Sequence, residues 1–168
     1  MGQEVGVGPL DEVVGYVLKQ AASALRTGME AALRPLELSV AQYACLELLG
    51  QRPGLSNAEL ARGAFVTRQS MNLVLRGLAD RGLVTRFPTG PQGRVRPTDL
   101  TDTGRRRLSA ASSAVRGVEQ QMLSPLTDSQ QRRLRADLAA CTAALSAVTP
   151  DQAGTDNHEA DSPVPPIP

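Results

Sequence analysis

Residues 66–84 read VTRQSMNLVLRGLADRGLV, and the apolar side chains recur at the spacing of an α-helix. One side of the predicted helix is apolar and packs against the protein: Met71, Val74, Leu75 and Leu78. Thr67 is suited to the N-cap position, and Gly82 to the left-handed residue that follows a helix. The stretch therefore predicts a well-bounded helix over residues 68–81.

The other side of this helix is not an ordinary solvated face. It carries Gln69, Asn72, Leu73 and Arg76. Such polar groups can pair with base edges in a major groove, and an apolar side chain suits a thymine methyl group. A short helix predicted over 57–62 precedes it across the turn 63–66, so the pair is a predicted helix-turn-helix. Similar pairs also occur in helical proteins that never touch DNA.

The rest of the chain predicts a mainly α fold with one small β-hairpin, a wing. Helices are predicted over 10–33, 40–49, 57–62, 68–81, 102–123 and 128–148, and strands over 83–87 and 95–100 around the turn PTGPQG. Capping boxes mark three of the helix starts, at Ser39 with Gln42, Ser56 with Glu59, and Thr127 with Gln130. Pro35 ends the first helix.

Positive charge is concentrated in the middle of a chain whose net charge is only +1. Residues 52–107 hold eleven arginines against four acidic side chains. Arg86, Arg94 and Arg96 surround the hairpin turn, and Arg105 opens the next helix. An arginine on a protruding tip can enter a narrow minor groove while its neighbours contact phosphates. This distribution favours DNA as the partner.

This order of elements resembles the MarR (multiple antibiotic resistance regulator) family of bacterial transcription regulators. The resemblance is carried by LSVAQYACLELLGQRPGLSNAELARGAFVTRQSMNLVLRGLADRGLV and by GRVRPTDLTDTG, and it spans residues 10–148. It implies a homodimer, joined through the N- and C-terminal helices, that represses genes from a near-palindromic operator. It also implies Arg94 at the wing tip, with Leu100, Thr101 and Gly104 closing the wing motif. Gln92 stands where the family usually has an acid that steadies the wing.

The expected DNA contacts fall into two groups. Those on the recognition helix are Thr67, Arg68, Gln69, Ser70, Asn72, Leu73 and Arg76. Those of the wing and the backbone-contacting region are Arg86, Arg94, Arg96 and Arg105. Two recognition helices in one dimer must enter successive major grooves, so the operator is expected to be an inverted repeat.

The resemblance also implies a ligand cleft between the dimer helices and the DNA-binding lobe, where many members bind small aromatic or phenolic compounds. Tyr16 and Tyr43 are the candidate ligand contacts, although each is also suited to packing with a satisfied hydroxyl. Cys45 raises the alternative of peroxide sensing, which requires a lowered thiol pKa and access. The apolar neighbours of Cys45 and of Cys141 favour two small core residues instead.

The sequence offers little for catalysis, so neither an enzyme nor a cofactor is predicted. His158 is the only histidine, no cluster of cysteine, histidine and carboxylate has metal-ligand spacing, and no Gly-rich loop follows a strand and opens a helix. The remaining alternatives are a ligand-independent regulator and a dimeric winged-helix module that binds another protein. With no secretory or membrane segment evident, the expected location is the cytoplasm.

The expected organisation is one domain between two loose ends. Residues 1–9 and the acidic, Pro-rich residues 150–168 are predicted to be disordered. Between them lies a single domain over 10–149. Its winged helix-turn-helix covers about 39–101, and its dimerisation helices cover about 10–34 and 102–148.

Overall fold

A computed structural model describes residues 9–85 and 98–148 of the chain. The helices of these residues are α1 (Val14–Leu33), α2 (Val40–Gln51), α3 (Asn57–Gly63), α4 (Arg68–Asp80), α5 (Asp102–Leu123) and α6 (Asp128–Val148). Short 3₁₀ turns cover Leu10–Glu12 and Arg34–Leu36. The predicted terminal disorder and most of the predicted hairpin, with Gln92, lie outside the described residues. The described residues form two compact units, one that ends at residue 123 and one that begins at residue 124.

The predicted helices are confirmed: three of them end within two residues of the predicted position, and only the start of the first differs by more. The extended backbone of Val13, at φ −84° and ψ 108°, separates the 3₁₀ turn Leu10–Glu12 from α1. The helix predicted from residue 10 therefore begins at Val14. It ends at Leu33, ahead of Pro35, which lies in the next 3₁₀ turn as a residue without an N–H donor can.

Side-chain caps begin the helices where the sequence predicts them. Ser39 accepts a hydrogen bond from the backbone of Gln42, and the Gln42 side chain accepts from the Ser39 backbone, at 3.1 and 3.0 Å. Ser56 and Glu59 form the same reciprocal pair at the start of α3. The carboxylate accepts from the Ser56 hydroxyl and backbone, and these bonds lower the pKa of Glu59. Each box satisfies backbone donors that a helix start leaves without partners.

The core of the first unit is apolar, and it fixes how α4 is presented. The fully buried large side chains include Leu33 of α1, Leu46 and Leu49 of α2, Leu60 of α3, and Met71 and Leu78 of α4. Val74 and Leu75 are partly buried against the same core. The apolar side of α4 is therefore the one predicted, and the opposite side of the helix faces outward.

The base of the predicted wing is described, but the wing itself is not. Val84 and Leu100 form an isolated antiparallel bridge. The Thr85 N–H donates to the carbonyl of Asp99 at 2.8 Å, and the Thr101 N–H donates to that of Leu83 at 3.1 Å. The two chain segments are thus paired on either side of residues 86–97, and the predicted strands are described only at these ends.

The described part of the second unit is dominated by α6, whose apolar stripe is exposed in the single chain. Leu134, Leu138 and Leu145 are 38%, 40% and 72% exposed. Cys141 lies on the same stripe and is exposed, so the prediction that it is a small core residue is wrong for the single chain. A helix cannot enclose its own side chains, and burial of this stripe needs another surface. No helix in the described ranges is long and apolar enough to cross a membrane.

Candidate nucleic-acid interface

The outward face of α4 is a row of exposed side chains along a well-anchored helix. Gln69, Asn72, Leu73 and Arg76 are all exposed. Leu73 is the unusual member, because 61% of this large apolar side chain is accessible to solvent. The fully buried Met71 and Leu78 hold the helix from the other side. The face thus offers amide, guanidinium and apolar groups on one rigid support.

The first turn of α4 presents a second set of predicted contacts. The Thr67 hydroxyl accepts from the Ser70 N–H at 3.1 Å and donates to the Ser70 hydroxyl at 2.9 Å. Thr67 is therefore engaged as the helix cap, whereas the Ser70 hydroxyl proton is available to another acceptor. Arg68 and Gln69 are exposed beside them. Backbone N–H groups at a helix start also favour an anion such as phosphate.

One contact of this face was not foreseen from the sequence. The Asn57 side-chain nitrogen, at the start of α3, donates to the Asn72 Oδ1 atom at 2.7 Å and lies 3.5 Å from the Arg68 carbonyl oxygen. Asn57 and Asn72 are 15 residues apart, and no local pattern links two asparagines at that separation. The hydrogen bond exists because the two helices of the helix-turn-helix cross at this point.

Arg105 lies at the base of the wing, where it has protein partners. One guanidinium nitrogen lies 3.8 Å from the Asp99 carboxylate and donates to the Leu100 carbonyl at 3.3 Å. The side chain remains 54% exposed. Arg105 is therefore held beside the predicted wing with part of its guanidinium accessible. The other predicted wing contacts, Arg86, Arg94 and Arg96, lie outside the described residues.

The motif that the resemblance assigns to the end of the wing has a clear structural role. The Thr101 hydroxyl donates to the Gly82 carbonyl at 2.6 Å and accepts from the Gly104 N–H at 3.0 Å. A Cβ atom on Gly104 would overlap the carbonyl of Leu83. These contacts join the end of α4 to the start of α5, so the wing base and the recognition helix are fixed to each other.

The two candidate ligand tyrosines lie in different surroundings. Tyr16 of α1 is 39% exposed, whereas Tyr43 of α2 is partly buried against the core. Burial raises the pKa of the Tyr43 hydroxyl, which is within hydrogen-bonding reach of Ser112 and Glu47. The expectation of a packed tyrosine with a satisfied hydroxyl is thus confirmed for Tyr43 and is wrong for Tyr16 in the single chain. Tyr16 lies on a helix face that the described residues leave partly exposed.

The carboxylate of Glu47 lies beside Tyr43. Burial acts to raise the pKa of Glu47, but hydrogen bonds outweigh it and the pKa is lowered. Gln51 and Ser112 donate to the two carboxylate oxygens, each at 2.8 Å. Glu47 is therefore ionised at neutral pH.

Cys45 does not have the surroundings of a redox sensor. The side chain is fully buried, and burial raises the pKa of its thiol to about 12. Peroxide attacks the thiolate, which is nearly absent at neutral pH when the pKa is this high. The prediction that Cys45 is a small core residue is confirmed.

Comparisons with known proteins agree with this arrangement. A sequence model of the MarR family matches residues 38–89, which span α2 to the wing base. The HTH-type transcriptional repressor Rv2887 of Mycobacterium tuberculosis (strain H37Rv) is 44% identical over 125 residues, covering 74% of this chain and 90% of the relative. The chain belongs to the MarR family.

Solved structures of this MarR-family relative match the fold of the chain. Mycobacterium tuberculosis Rv2887 in complex with DNA aligns with a TM-score of 0.66 at 42% identity, covering 78% of this chain and 98% of Rv2887. Rv2887 in complex with p-aminosalicylic acid aligns with a TM-score of 0.67 at 42% identity, covering 77% and 98%. The chain is thus similar over most of its length to a MarR-family repressor that binds both DNA and a small aromatic acid.

Proposed function

We propose that this MarR-family protein is a homodimeric transcriptional repressor that binds an inverted-repeat operator and is released from it by a small aromatic acid. The exposed polar face of α4, held rigidly by a buried apolar face, is the observation that carries the proposal. It is a regulator rather than an enzyme, and it works in the cytoplasm, where bacterial DNA lies. The relatives named as repressors support the sign of regulation.

In this proposal the recognition segment is residues 67–76. Gln69, Asn72 and Arg76 read base edges, and Leu73 contacts a thymine methyl group. Arg68 and Ser70 contact phosphate near the helix start, where Thr67 serves as the cap. Arg86, Arg94 and Arg96 are assigned to a hairpin wing, and Arg105 to the DNA backbone beside it.

Dimerisation is proposed through α1, α5 and α6, and residues 39–101 form the DNA-binding lobe. Support comes from apolar side chains that the single chain leaves uncovered on α1 and on α6. On α1 they include Val14, Val17 and Leu18, which are 78%, 45% and 46% exposed. Uncovered apolar stripes of this size indicate a partner surface. A second copy of the chain supplies it and sets the two recognition helices roughly 34 to 36 Å apart, about one turn of DNA.

The ligand is proposed to act by changing that separation. Rv2887 has been solved with p-aminosalicylic acid and with salicylic acid, which makes this ligand class the first to test. Tyr16 and Tyr43 are the proposed aromatic contacts. In this proposal the ring of the acid contacts the two tyrosines. A ligand shifts the equilibrium only to the extent that it binds one dimer arrangement more tightly.

Selection from random duplexes with the purified full chain tests the DNA-binding part. The expected result is an enriched inverted repeat with half-site centres about one helical turn apart. Weak, salt-sensitive binding with no preferred sequence would contradict the proposal. It would favour a winged-helix module that binds another protein.

Arginine variants then separate base reading from charge. Arg76→Ala should lower operator affinity by about 1 to 3 kcal/mol and relax the preference at one position of each half-site. Arg105→Ala should weaken binding to all sequences evenly and reduce its salt dependence. Arg133→Ala is the charge-matched control, because this exposed arginine of α6 pairs only with Asp137 among the described acids. Wild-type operator affinity in both the Arg76 and the Arg105 variants would refute the assignment.

Salicylate and p-aminosalicylate test the ligand part. Each should raise the melting temperature of the dimer and release a labelled operator at the same concentrations. Tyr43→Ala should weaken release more than a control substitution on the solvent side of α6, Ala136→Ser. No stabilisation and no release by any aromatic acid would leave a ligand-independent regulator.

A further inference from the structure

We infer that Asn57 of α3 is a specificity-determining positioning residue: it fixes the side-chain amide of Asn72 so that the amide nitrogen, a donor, faces the bases. The inference rests on the proposed DNA-binding function and predicts which bases are preferred at one position of the operator half-site. It also assigns a role in sequence reading to a residue of the first helix of the helix-turn-helix.

The orientation of the Asn57 amide is set by the backbone carbonyl of Arg68, which can only accept a hydrogen bond. Its side-chain nitrogen lies 3.5 Å from the carbonyl oxygen of Arg68 and 2.7 Å from Oδ1 of Asn72. If the Asn57 amide were reversed, its oxygen would face the Arg68 carbonyl oxygen, and two acceptors would meet. A backbone carbonyl offers no alternative tautomer or rotamer, so the Asn57 nitrogen must point toward it.

The orientation of Asn72 follows from that of Asn57. Since Asn57 presents N–H groups, the Asn72 atom that meets them must be the oxygen. The Asn72 amide nitrogen then lies on the side of the amide away from α3, on the exposed face of α4. An asparagine without this constraint could present either its donor or its acceptor to a base. Asn72 is thereby restricted to donating.

The two polar atoms of the Asn57 side chain differ in their surroundings. Its Oδ1 atom is buried, and no hydrogen-bond donor of the described residues reaches it. A buried acceptor without a partner disfavours the folded state. An apolar side chain of similar size would avoid this cost. The benefit of an asparagine at position 57 lies in its donor, which is directed at Asn72 and at the Arg68 carbonyl.

A donor reads acceptors on the major-groove edge. These are N7 and O6 of guanine, N7 of adenine and O4 of thymine. The base that Asn72 contacts should therefore be one with such an acceptor, with guanine favoured because its two acceptors are adjacent. A preference that depends on accepting from cytosine N4 or adenine N6 is excluded by the fixed orientation.

The test compares the base preferences of wild type, Asn57→Ala, Asn72→Ala and the double variant, each measured over a library of single-base changes in the selected operator. Asn72→Ala identifies the position that Asn72 reads. Asn57→Ala should reduce discrimination at that same position by about tenfold and leave the other positions unchanged. In the Asn72→Ala background, Asn57→Ala should have no further effect on preference.

A fifth protein checks the direction of the hydrogen bond. Asn72→Asp keeps an oxygen for Asn57 but turns a second oxygen toward the DNA, so the preference should move toward cytosine or adenine, which carry donors. Asn57→Ala loses two side-chain hydrogen bonds together with the unpaired buried oxygen, so the opposing effects should leave its melting temperature little changed. A fall in stability with uniform loss of affinity at all positions would mean a structural role and would overturn the inference.

The two proposals fail in different ways. If wild type selects no sequence, DNA reading and the role of Asn57 are both refuted. If wild type selects an operator and Asn57→Ala has the wild-type preference, only the positioning role is refuted. The same holds if Asn57→Ala alters preference equally with and without Asn72.

Discussion

At the scale of single residues, the turns that end α3 and α4 share one hydrogen-bond pattern but use different side chains. At the end of α4, the Gly82 and Leu83 N–H groups donate to Ala79 and Leu78. At the end of α3, Phe65 and Val66 donate in the same way to preceding carbonyls. Both are Schellman motifs, in which one residue adopts positive φ. Gly82 has φ 65°, and Phe65 has φ 56°.

Replacing Phe65 by glycine and Gly82 by alanine should change the free energy of unfolding in opposite directions. Phe65 is 95% exposed, so it gains little from burial while carrying the steric cost of the left-handed conformation. Phe65→Gly should stabilise the protein by about 0.5 to 1 kcal/mol. Gly82→Ala should destabilise it by about 1 kcal/mol, although the space around its Cβ is open. Urea unfolding at a fixed protein concentration measures both, and shifts of the same sign would contradict the argument.

The burial of Cys45 predicts an inert thiol in the native protein. In a Cys141→Ser variant, Cys45 is the only cysteine left. Because burial raises its thiol pKa to about 12, a thiol reagent at neutral pH should label it only as fast as the protein unfolds. The same variant in denaturant gives the full signal. Rapid native labelling, or peroxide release of DNA that Cys45→Ser abolishes, would restore the redox alternative.

At the scale of elements, the junction between α4 and α5 is set by a close backbone approach. Thr101 bridges the two ends through the Gly82 carbonyl and the Gly104 N–H. The Leu83 carbonyl lies where a Cβ atom of residue 104 would be. Position 104 therefore has room only for glycine. This contact helps to set the direction in which the chain leaves the wing base.

Two glycines of α5 provide a matched pair for this element. Gly104→Ala should destabilise the protein by about 1 to 3 kcal/mol, because the obstructing atom is backbone and cannot move aside like a side chain. Gly117→Ala should stabilise it by about 0.5 to 1 kcal/mol, because nothing lies near the added methyl group and alanine favours the helix. Chemical unfolding with circular dichroism separates them. Equal stability of Gly104→Ala and wild type would show that the junction rearranges freely.

At the scale of the whole molecule, the single chain is incomplete because its apolar stripes on α1 and α6 remain uncovered. Leu134, Leu138 and Leu145 lie on one side of α6 at helical spacing. In the proposed function, a dimer presents two α4 faces to DNA, one from each chain. Operator symmetry is therefore a property of the pair of chains and not of either α4 alone.

A charge on this stripe should dissociate the dimer. Leu138→Glu should weaken association at least about tenfold, or roughly 1.4 kcal/mol, since a carboxylate disfavours an apolar interface. Ala136→Glu is the control, because residue 136 lies on the opposite side of α6. Sedimentation velocity over a concentration series measures both, with operator affinity recorded in parallel. Equal dimer dissociation constants in the two variants would show that the interface lies elsewhere.

Local sequence patterns are enough to predict the helices and most of their ends, although not the start of α1. Caps such as Ser39 with Gln42 and Thr67 with Ser70 join residues three apart, and an apolar stripe is a local repeat, so both can be recognised without a structure. The inward and outward sides of α4 follow from the same repeat.

Which of these features contact each other depends on how the helices pack. Asn57 reaches Asn72 because α3 and α4 cross, Arg105 reaches Asp99 at the wing base, and the start of α5 closes against Leu83. Cys45 and Cys141 both follow apolar patterns, yet one is buried and the other exposed. Each outcome depends on crossing angles and on the surface supplied by distant parts of the chain, which no local sequence pattern contains.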